Sequence, residues 1–420
     1  MRRTTTALAS LVLLAGTALV STQAAAADFS LSYLGQQIVA TGTPFQGTTV
    51  GGLSGIDYDA TSGSYYAISD DRSALNPARF YNLNLDLNQF QRSATAGSAG
   101  VQFNSVTTIQ KPTGGTYATN TVDPESIRYN AARGTLVWTN EGQRAAAGLQ
   151  NPTVREMRLN GTHVRDYSVP GYYQPSGSVA GTTTGDRGIY NNLAFESLTF
   201  STDGRTLYTA TENGLTQDSA TSAVNHGSRS RILSFDATTG QAGAEYAYDV
   251  SPVALPPNPA DQFATNGLTD LLAIGERQFI GIERSFSTGA QTPGTPVTGN
   301  TIRLYYIDAR EATDIAGRES IAGDDSIVAA RKELLLDLSE LRNDDGSALA
   351  LDNIEGLTFG PEHNGKRTVV LVSDNNFAST QFTQFVALEL APVPEPSTWL
   401  LVIGGLCAMF GLRSVPRTPR

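Results

Sequence analysis

Acidic side chains recur along this chain in one local setting. Glu125-Ser126-Ile127 is followed sixteen residues later by Glu141, and Glu196-Ser197-Leu198 by Glu212, each time across a turn. Leu53-Ser54-Gly55-Ile56 with Ser69-Asp70-Asp71-Arg72 repeats the spacing with a serine in the opening position. Two looser copies run from Asp270 to Glu283-Arg284 and from Glu355 to Asp374. Gathered together, these residues would be an oxygen-rich set of ligands. The whole chain holds three histidines and one cysteine, so a hard cation such as Ca²⁺ is the metal such a set would suit. The candidate ligands are Asp70, Asp71, Glu125, Glu141, Glu196, Glu212, Asp270, Glu283, Glu355 and Asp374. Arg72, Arg144 and Arg284 lie beside them and could pair the acids or hold an anionic ligand. The competing reading is that acids at strand ends bond turn amides and fix local geometry.

Residues that face each other in a hairpin have a constant index sum. The midpoints fall at Ser62-Gly63, Arg133-Gly134, Asp203-Gly204 and Asn364-Gly365, which are turn-forming pairs. The fourth copy fits less well, with its midpoint just after Gly275. Further alternating segments follow each hairpin: 79–86 and 101–110, 154–160 and 163–169, 231–236 and 245–250, 302–308 and 332–338. The chain therefore reads as all-β, with four-stranded units repeating at a spacing of about 71 to 85 residues. Such units around an axis make a β-propeller, here of five blades, or six if the long loops hide another. The last unit, from 353 on, has only three strands, 355–359, 368–373 and 384–390, and Phe29–Val39 is left to supply its fourth and close the ring. A β-sandwich is the competing architecture. In a propeller the opening strand of each unit lines the central channel, so the acidic ends would meet at one mouth.

At 420 residues with 40% hydrophobic and 16% charged side chains, the chain is a folded globular protein. Its net charge of −11 argues against a nucleic-acid partner. A monomer is expected. Residues 1–27 read as an export signal, with Arg2-Arg3, an apolar run from Ala7 to Val20, and small residues at Ala25-Ala26-Ala27. A single domain follows over 28–391. The lone Cys407 lies beyond it, so this domain has no disulfide and no cysteine nucleophile. There is no Gly-x-Ser-x-Gly elbow for a serine esterase, and His163, His226 and His363 stand away from the hairpin mouths. Long polar loops at 171–192, 251–263 and 285–300 would sit at the rim, where Tyr172, Tyr173 and Tyr190 could stack on sugars.

Residues 392–420 carry Pro394-Glu395-Pro396, an apolar run to Leu412, and then Arg413, Arg417 and Arg420. This resembles the PEP-CTERM sorting signal, which implies transient membrane anchoring, cleavage by an exosortase, and a secreted or cell-surface product. The apolar stretch 398–412 would make about 22 Å of helix, short of the roughly 30 Å bilayer core. Gly52-Leu53-Ser54-Gly55-Ile56, Ile68-Ser69-Asp70-Asp71-Arg72 and Ala78-Arg79-Phe80-Tyr81 resemble the opening of the phytase-like family, described as having esterase-like activity of phytase. Phe195-Glu196-Ser197-Leu198 with Thr211-Glu212-Asn213-Gly214, and Asn353-Ile354-Glu355-Gly356-Leu357 with Ser373-Asp374-Asn375, resemble its later motifs. The Asp-Ala-Asp-Asp-Pro-Ala signature of β-propeller phytases is absent, and Thr121-Val122-Asp123-Pro124-Glu125 is the nearest piece. The resemblance implies a β-propeller that hydrolyses phosphate esters of a small anionic substrate. Glu196 or Glu212 would then accept a proton, and Arg72 or Arg284 would hold phosphoryl oxygens. The alternative function is a non-catalytic surface or matrix propeller that binds polysaccharide, calcium or a protein partner.

Overall fold

A computed structural model of the chain describes residues 29–392. The expected export segment, and all of the sorting tail after its first residue, lie outside the described residues. Among the described residues no helix is long and apolar enough to cross a membrane.

Five four-stranded antiparallel sheets follow one another along the chain. Blade 1 comprises Leu53–Asp59, Ser64–Ser69, Arg79–Leu85 and Val101–Thr108. Blade 2 comprises Pro124–Asn130, Thr135–Asn140, Thr153–Arg158 and His163–Asp166. Blade 3 runs through Thr199–Phe200, Thr206–Ala210, Ser228–Asp236 and Ala242–Val250, and blade 4 through Ala264–Gly275, Gln278–Ser287, Asn300–Asp308 and Arg331–Asp337. Blade 5 takes Asn353–His363, Lys366–Asp374 and Thr383–Pro392, and its outer strand is Phe29–Val39. That first strand of the fold pairs with the last, from Phe29 opposite Pro392 to Val39 opposite Thr383. The predicted closure is the observed one.

Both faces of every blade are covered by its neighbours, so the second strands read as continuous buried runs. Ser64–Ser69 and Thr135–Asn140 are buried at every position. Five apolar clusters fill the five interfaces. Ile68 and Phe80 meet Ile127 and Trp138 between blades 1 and 2, and Val137 and Val154 meet Leu207 and Phe235 between blades 2 and 3. Ile232 and Tyr248 meet Leu268 and Phe279, and Ile282 and Leu304 meet Ile354 and Leu371. Val370 and Phe385 of blade 5 meet Leu53 and Tyr81 of blade 1, which completes the circle at five blades. The hairpin turns fall where the index sums put them, with Gly63, Gly134, Gly204 and Gly365 all at positive φ.

One irregularity repeats in all five blades. Near its start, each inner strand carries one residue more than its partner. The register shifts between Leu53 and Gly55, Pro124 and Ile127, Leu268 and Asp270, and Ile354 and Gly356. In blade 3 the same offset separates the Phe195–Thr211 bridge from the Thr199–Tyr208 pair. A bulge of this kind re-aims the side chain it carries.

Below the bulges the axis is closed by one ion pair. Arg128 of blade 2 donates to Asp270 Oδ2 of blade 4 at 2.7 Å, and to the carbonyls of Ile56, Leu271 and Leu357 on blades 1, 4 and 5. Asp270 in turn accepts from the Leu357 and Leu198 amides, so the pair touches all five blades.

Deleting residues 29–39 should strip the edge of the 383–392 strand and open the ring. Circular dichroism on heating should show a much lower or non-cooperative transition. A melting curve equal to that of the intact domain would contradict closure by this strand.

Candidate functional site

The bulges and the pairing just before them define three positions per blade that recur at the channel mouth. The bulge position holds Ser54, Glu125, Glu196, Thr269 and Glu355. Two residues earlier stand Gly52, Asp123, Ala194, Gly267 and Asn353, each opposite the first residue beyond the main pairing of the second strand. Those opposing residues are Asp70, Glu141, Glu212, Arg284 and Asp374. Eight carboxylates and one arginine therefore come from equivalent backbone positions.

This places the sequence candidates. Asp70, Glu125, Glu141, Glu196, Glu212, Glu355 and Asp374 converge, together with Arg72 and Arg284. Asp270 and Glu283 do not join them, and Asp71 lines the smaller of two cavities there with its carboxylate oxygens committed elsewhere. Asp71 is consumed by the loop that follows it, accepting from the Ala74, Leu75 and Asn76 amides and from buried Arg79 at 2.7 Å. Asp270 is the partner of Arg128 in the axis plug, one residue past the bulge. Glu283 turns into blade 4, where Tyr248, Asn266 and Lys332 donate to it. Both blade 4 errors have one cause. The pair Asp270 and Glu283 shares its index sum with Thr269 and Arg284, both centred on the Glu276-Arg277 turn, so the sum cannot tell the two pairs apart and the acids mark the pair one residue too far in on each strand. In a strand, a slip of one residue reverses the face. The true blade 4 equivalents are Thr269 and Arg284.

Asp123 was missed as a ligand. It faces Glu141, whose amide donates to the Asp123 carbonyl, and the bulge makes this pairing invisible to a constant sum. Arg144 is no site residue: it is buried and donates to the carbonyls of Ser176, Ser178, Arg187 and Ile189, bracing the long loop. Tyr172, Tyr173 and Tyr190 are buried as well. The first two donate to Glu245 and the third to the Ser219 carbonyl, so none presents a face for sugars. His163 sits by Asp166 and His363 by Glu389, and neither they nor exposed His226 line the site cavities.

The acids are buried and crowded. Carboxylate oxygens of Asp123, Glu125 and Glu141 lie within 4.8 Å of one another, as do those of Glu141, Glu196 and Glu212. At that distance two full charges repel by at least about 3.5 kcal/mol for an effective dielectric of about 20. Three such pairs in one group rival the whole stability of a domain, about 5–15 kcal/mol. Two guanidinium groups answer part of this. Arg72 donates to Asp123 at 2.7 Å and stands 4.0 Å from Glu141, and it also donates to Asn192. Arg284 donates to Glu355 at 2.8 Å and stands 3.4 Å from Glu212. Asn353 bridges Glu355 and Asp374.

Several oxygens have no hydrogen bond: both of Glu212, Oε2 of Glu141 and Oδ1 of Asp70, all buried. Burial, and then neighbouring carboxylates, push Asp70, Glu125, Glu141 and Glu196 well above the usual range. Burial raises Glu212 to about 7 and Asp374 to about 8. Burial works against the charges of Arg72 and Arg284, but Asp123 and Glu212 outweigh it and hold both guanidinium groups protonated. Glycine makes the crowding sterically feasible: a Cβ at Gly267 would fall 2.1 Å from Glu212 Cγ, and one at Gly52 2.1 Å from Asp70 Oδ1. Glu141 Oε2 and both Glu212 oxygens, buried and without hydrogens to accept, lie within groups of three carboxylates around the shared Glu141, and such groups fit a hard cation.

Two cavities open onto these residues. One of about 400 Å³ is lined by Asp70, Arg72, Glu125, Glu196, Glu355, Asp374 and Phe377. The other, of about 750 Å³, is lined by Glu212, Arg284, Asn353, Glu355 and loop residues including Phe263, Phe286 and Val297. They share Asn192, Glu355 and Asn376, so they adjoin.

The family model "Phytase-like: Esterase-like activity of phytase" matches residues 48–377. The chain belongs to this family. No curated protein matches its sequence. Among solved structures, the Dos1 propeller is similar at 6% identity with a TM-score of 0.33, over 80% of this chain and 68% of that one. KlHsv2 with loop 6CD replaced by a Gly-Ser linker is similar at 8% identity with a TM-score of 0.24, over 66% of this chain and 56% of that one.

Two outcomes follow from this geometry. Because the folded protein holds its site carboxyl groups above their unfolded pKa, protonation favours folding. In excess chelator the stability should be highest below about pH 4 and fall as the pH rises through the Glu212 and Asp374 values of about 7 and 8. Thermal unfolding across that range checks it, and a midpoint that rises from pH 5 to pH 8 would contradict it. By contrast, Asp270→Ala strands Arg128 in the axis and should cost about 3–5 kcal/mol in denaturant unfolding without changing cation affinity.

Proposed function

We propose that this phytase-like propeller is a Ca²⁺-dependent phosphoric ester hydrolase, exported to the cell surface or beyond. One observation carries the reading: two groups of buried carboxylates share Glu141 beside two arginines, and members of these groups line adjoining cavities, Glu125 and Glu196 the smaller and Glu212 the larger, which is large enough for a small ester. Asp123, Glu125 and Glu141 would hold one cation, and Glu141, Glu196 and Glu212 a second. Bound there, Ca²⁺ supplies charge neutralisation and polarises a phosphoryl oxygen.

The chain's own groups do the rest. Arg284 reaches the larger cavity and Arg72 the smaller, so each can donate to non-bridging oxygens and orient the phosphoryl group. Neither oxygen of Glu212 is hydrogen-bonded, so one could face the cation while the other accepts a proton from water. Glu196, at the bulge of the same blade, is the other acceptor. As the water oxygen bonds to phosphorus and its proton passes to the glutamate, the bond to the alcohol oxygen breaks and the alkoxide takes its proton from solvent, to which the glutamate then returns its own. The Arg128–Asp270 plug closes the axis beneath, so ester and water share one entrance. The same basin without turnover would be the calcium-binding module of a matrix or surface protein.

p-Nitrophenyl phosphate should be hydrolysed with added Ca²⁺, and not in excess chelator. Glu212→Gln and Glu196→Gln should each lower kcat by about 10²-fold or more. Full activity in chelator would remove the metal role. Saturable Ca²⁺ binding with no turnover would favour the non-catalytic reading.

A further inference from the structure

We infer that the anionic ligand of this basin carries one charged head and an apolar body of about the size of an aromatic ring, seated on Phe263, Phe286 and Val297. The inference rests on the hydrolase reading for its chemistry, and on two separate observations for its content.

The first is the wall of the larger cavity. Phe263 is 64% exposed and Val297 52% exposed, although both are large apolar side chains. They stand on the loops 251–263 and 288–299, which flank blade 4 on the face that carries the acids. The Phe263 ring lies 6.1 Å from that of Phe286, and the two form one apolar surface. Core aromatics of this fold are buried between blades, so packing between blades does not account for these. They line the same cavity as Glu212, Arg284 and Glu355, which puts an apolar seat beside a charged one in a single space.

The second is the charge balance. Fully ionised, the eight carboxylates against Arg72 and Arg284 would carry six negative charges, and two divalent cations would still leave two. No lysine lines either site cavity. A polyphosphorylated alcohol would bring many charges with nothing further to receive them. A single phosphoryl head can use the cations and the arginines, while the rest of the molecule must be neutral. Neutral Asn, Thr, Ser and Gln side chains make up most of the wall, and where Phe263, Phe286 and Val297 replace them an apolar body gains over a hydrated one.

Calorimetric titration of the Ca²⁺-loaded protein with phenylphosphonate and with methylphosphonate tests this without any turnover. The phenyl compound should bind at least about tenfold more tightly. In Phe263→Ala, and separately in Val297→Ser, that ratio should fall severalfold towards one. Both residues are exposed, so neither variant should lose the fold. Turnover provides the second arm: 1-naphthyl phosphate should exceed glycerol 2-phosphate and myo-inositol hexakisphosphate in kcat/KM. Equal affinity for the two phosphonates, or preference for the inositol phosphate, would overturn the inference and leave the hydrolase reading standing. Preference for phenylphosphonate with no ester hydrolysed would support the apolar seat and overturn the hydrolase reading. Binding of neither phosphonate would overturn both.

Discussion

Five equivalent backbone positions face one axis, and this geometry multiplies whatever chemistry the sequence puts there. The multiplied group is the carboxylate. Repulsion among the members of one group is comparable to the net stability of a domain. The blades cannot relieve it by splaying, because five apolar interfaces and the Phe29–Val39 strand hold the ring shut. The charge must therefore be met locally, by protons, by guanidinium groups or by bound cations.

The structure meets it with a mixture. Arg284 occupies in blade 4 the position that is acidic in the other four blades, so one member of the ring has reversed sign and pairs with two neighbours. Arg72 enters from the loop after blade 1's second strand and pairs with Asp123. Apart from Asp70, the oxygens that remain unmet lie on Glu141, the one residue common to both close groups, and on Glu212. The residual charge is thus localised, beside the two arginines best placed to hold an anion. A few residues deeper, Arg128 and Asp270 pair with each other and bond to every blade, although Arg128 Nε stays without a partner. The two levels of the axis do different work. The lower pair ties the blades together, whereas the upper cluster keeps several carboxylate oxygens without hydrogen bonds.

Much of this was legible in the chain. The repeat, the four-strand units, the closing strand and the turn glycines follow from periodicity and turn chemistry, which local sequence reports well. Seven of the ten ligand candidates meet at the mouth. The losses came from features that periodicity does not encode. A bulge adds a residue without changing residue type, so Asp123 was hidden opposite Glu141. In blade 4 Asp270 with Glu283 and Thr269 with Arg284 are equally symmetric about the turn, and the acidic pair is the one whose side chains face away from the mouth. Asp71 looks like Asp70 in the sequence, yet its three amide bonds to the next loop make it a turn residue. Tyr172 and Tyr173 lie in a glycine-rich loop that reads as exposed, but that loop packs down on blade 3 through Glu245. Burial of a loop is a long-range outcome, and nothing local announces it.

The central claim is that Glu141 anchors cations between two sets of acids. The most direct measurement is anomalous diffraction from crystals of the domain soaked in Ca²⁺ near neutral pH. The account predicts ordered ions within coordination distance of Glu141, with Asp123 and Glu125 on one side and Glu196 and Glu212 on the other. Carboxyl groups bonded directly to one another across an ion-free centre, at saturating Ca²⁺, would contradict it.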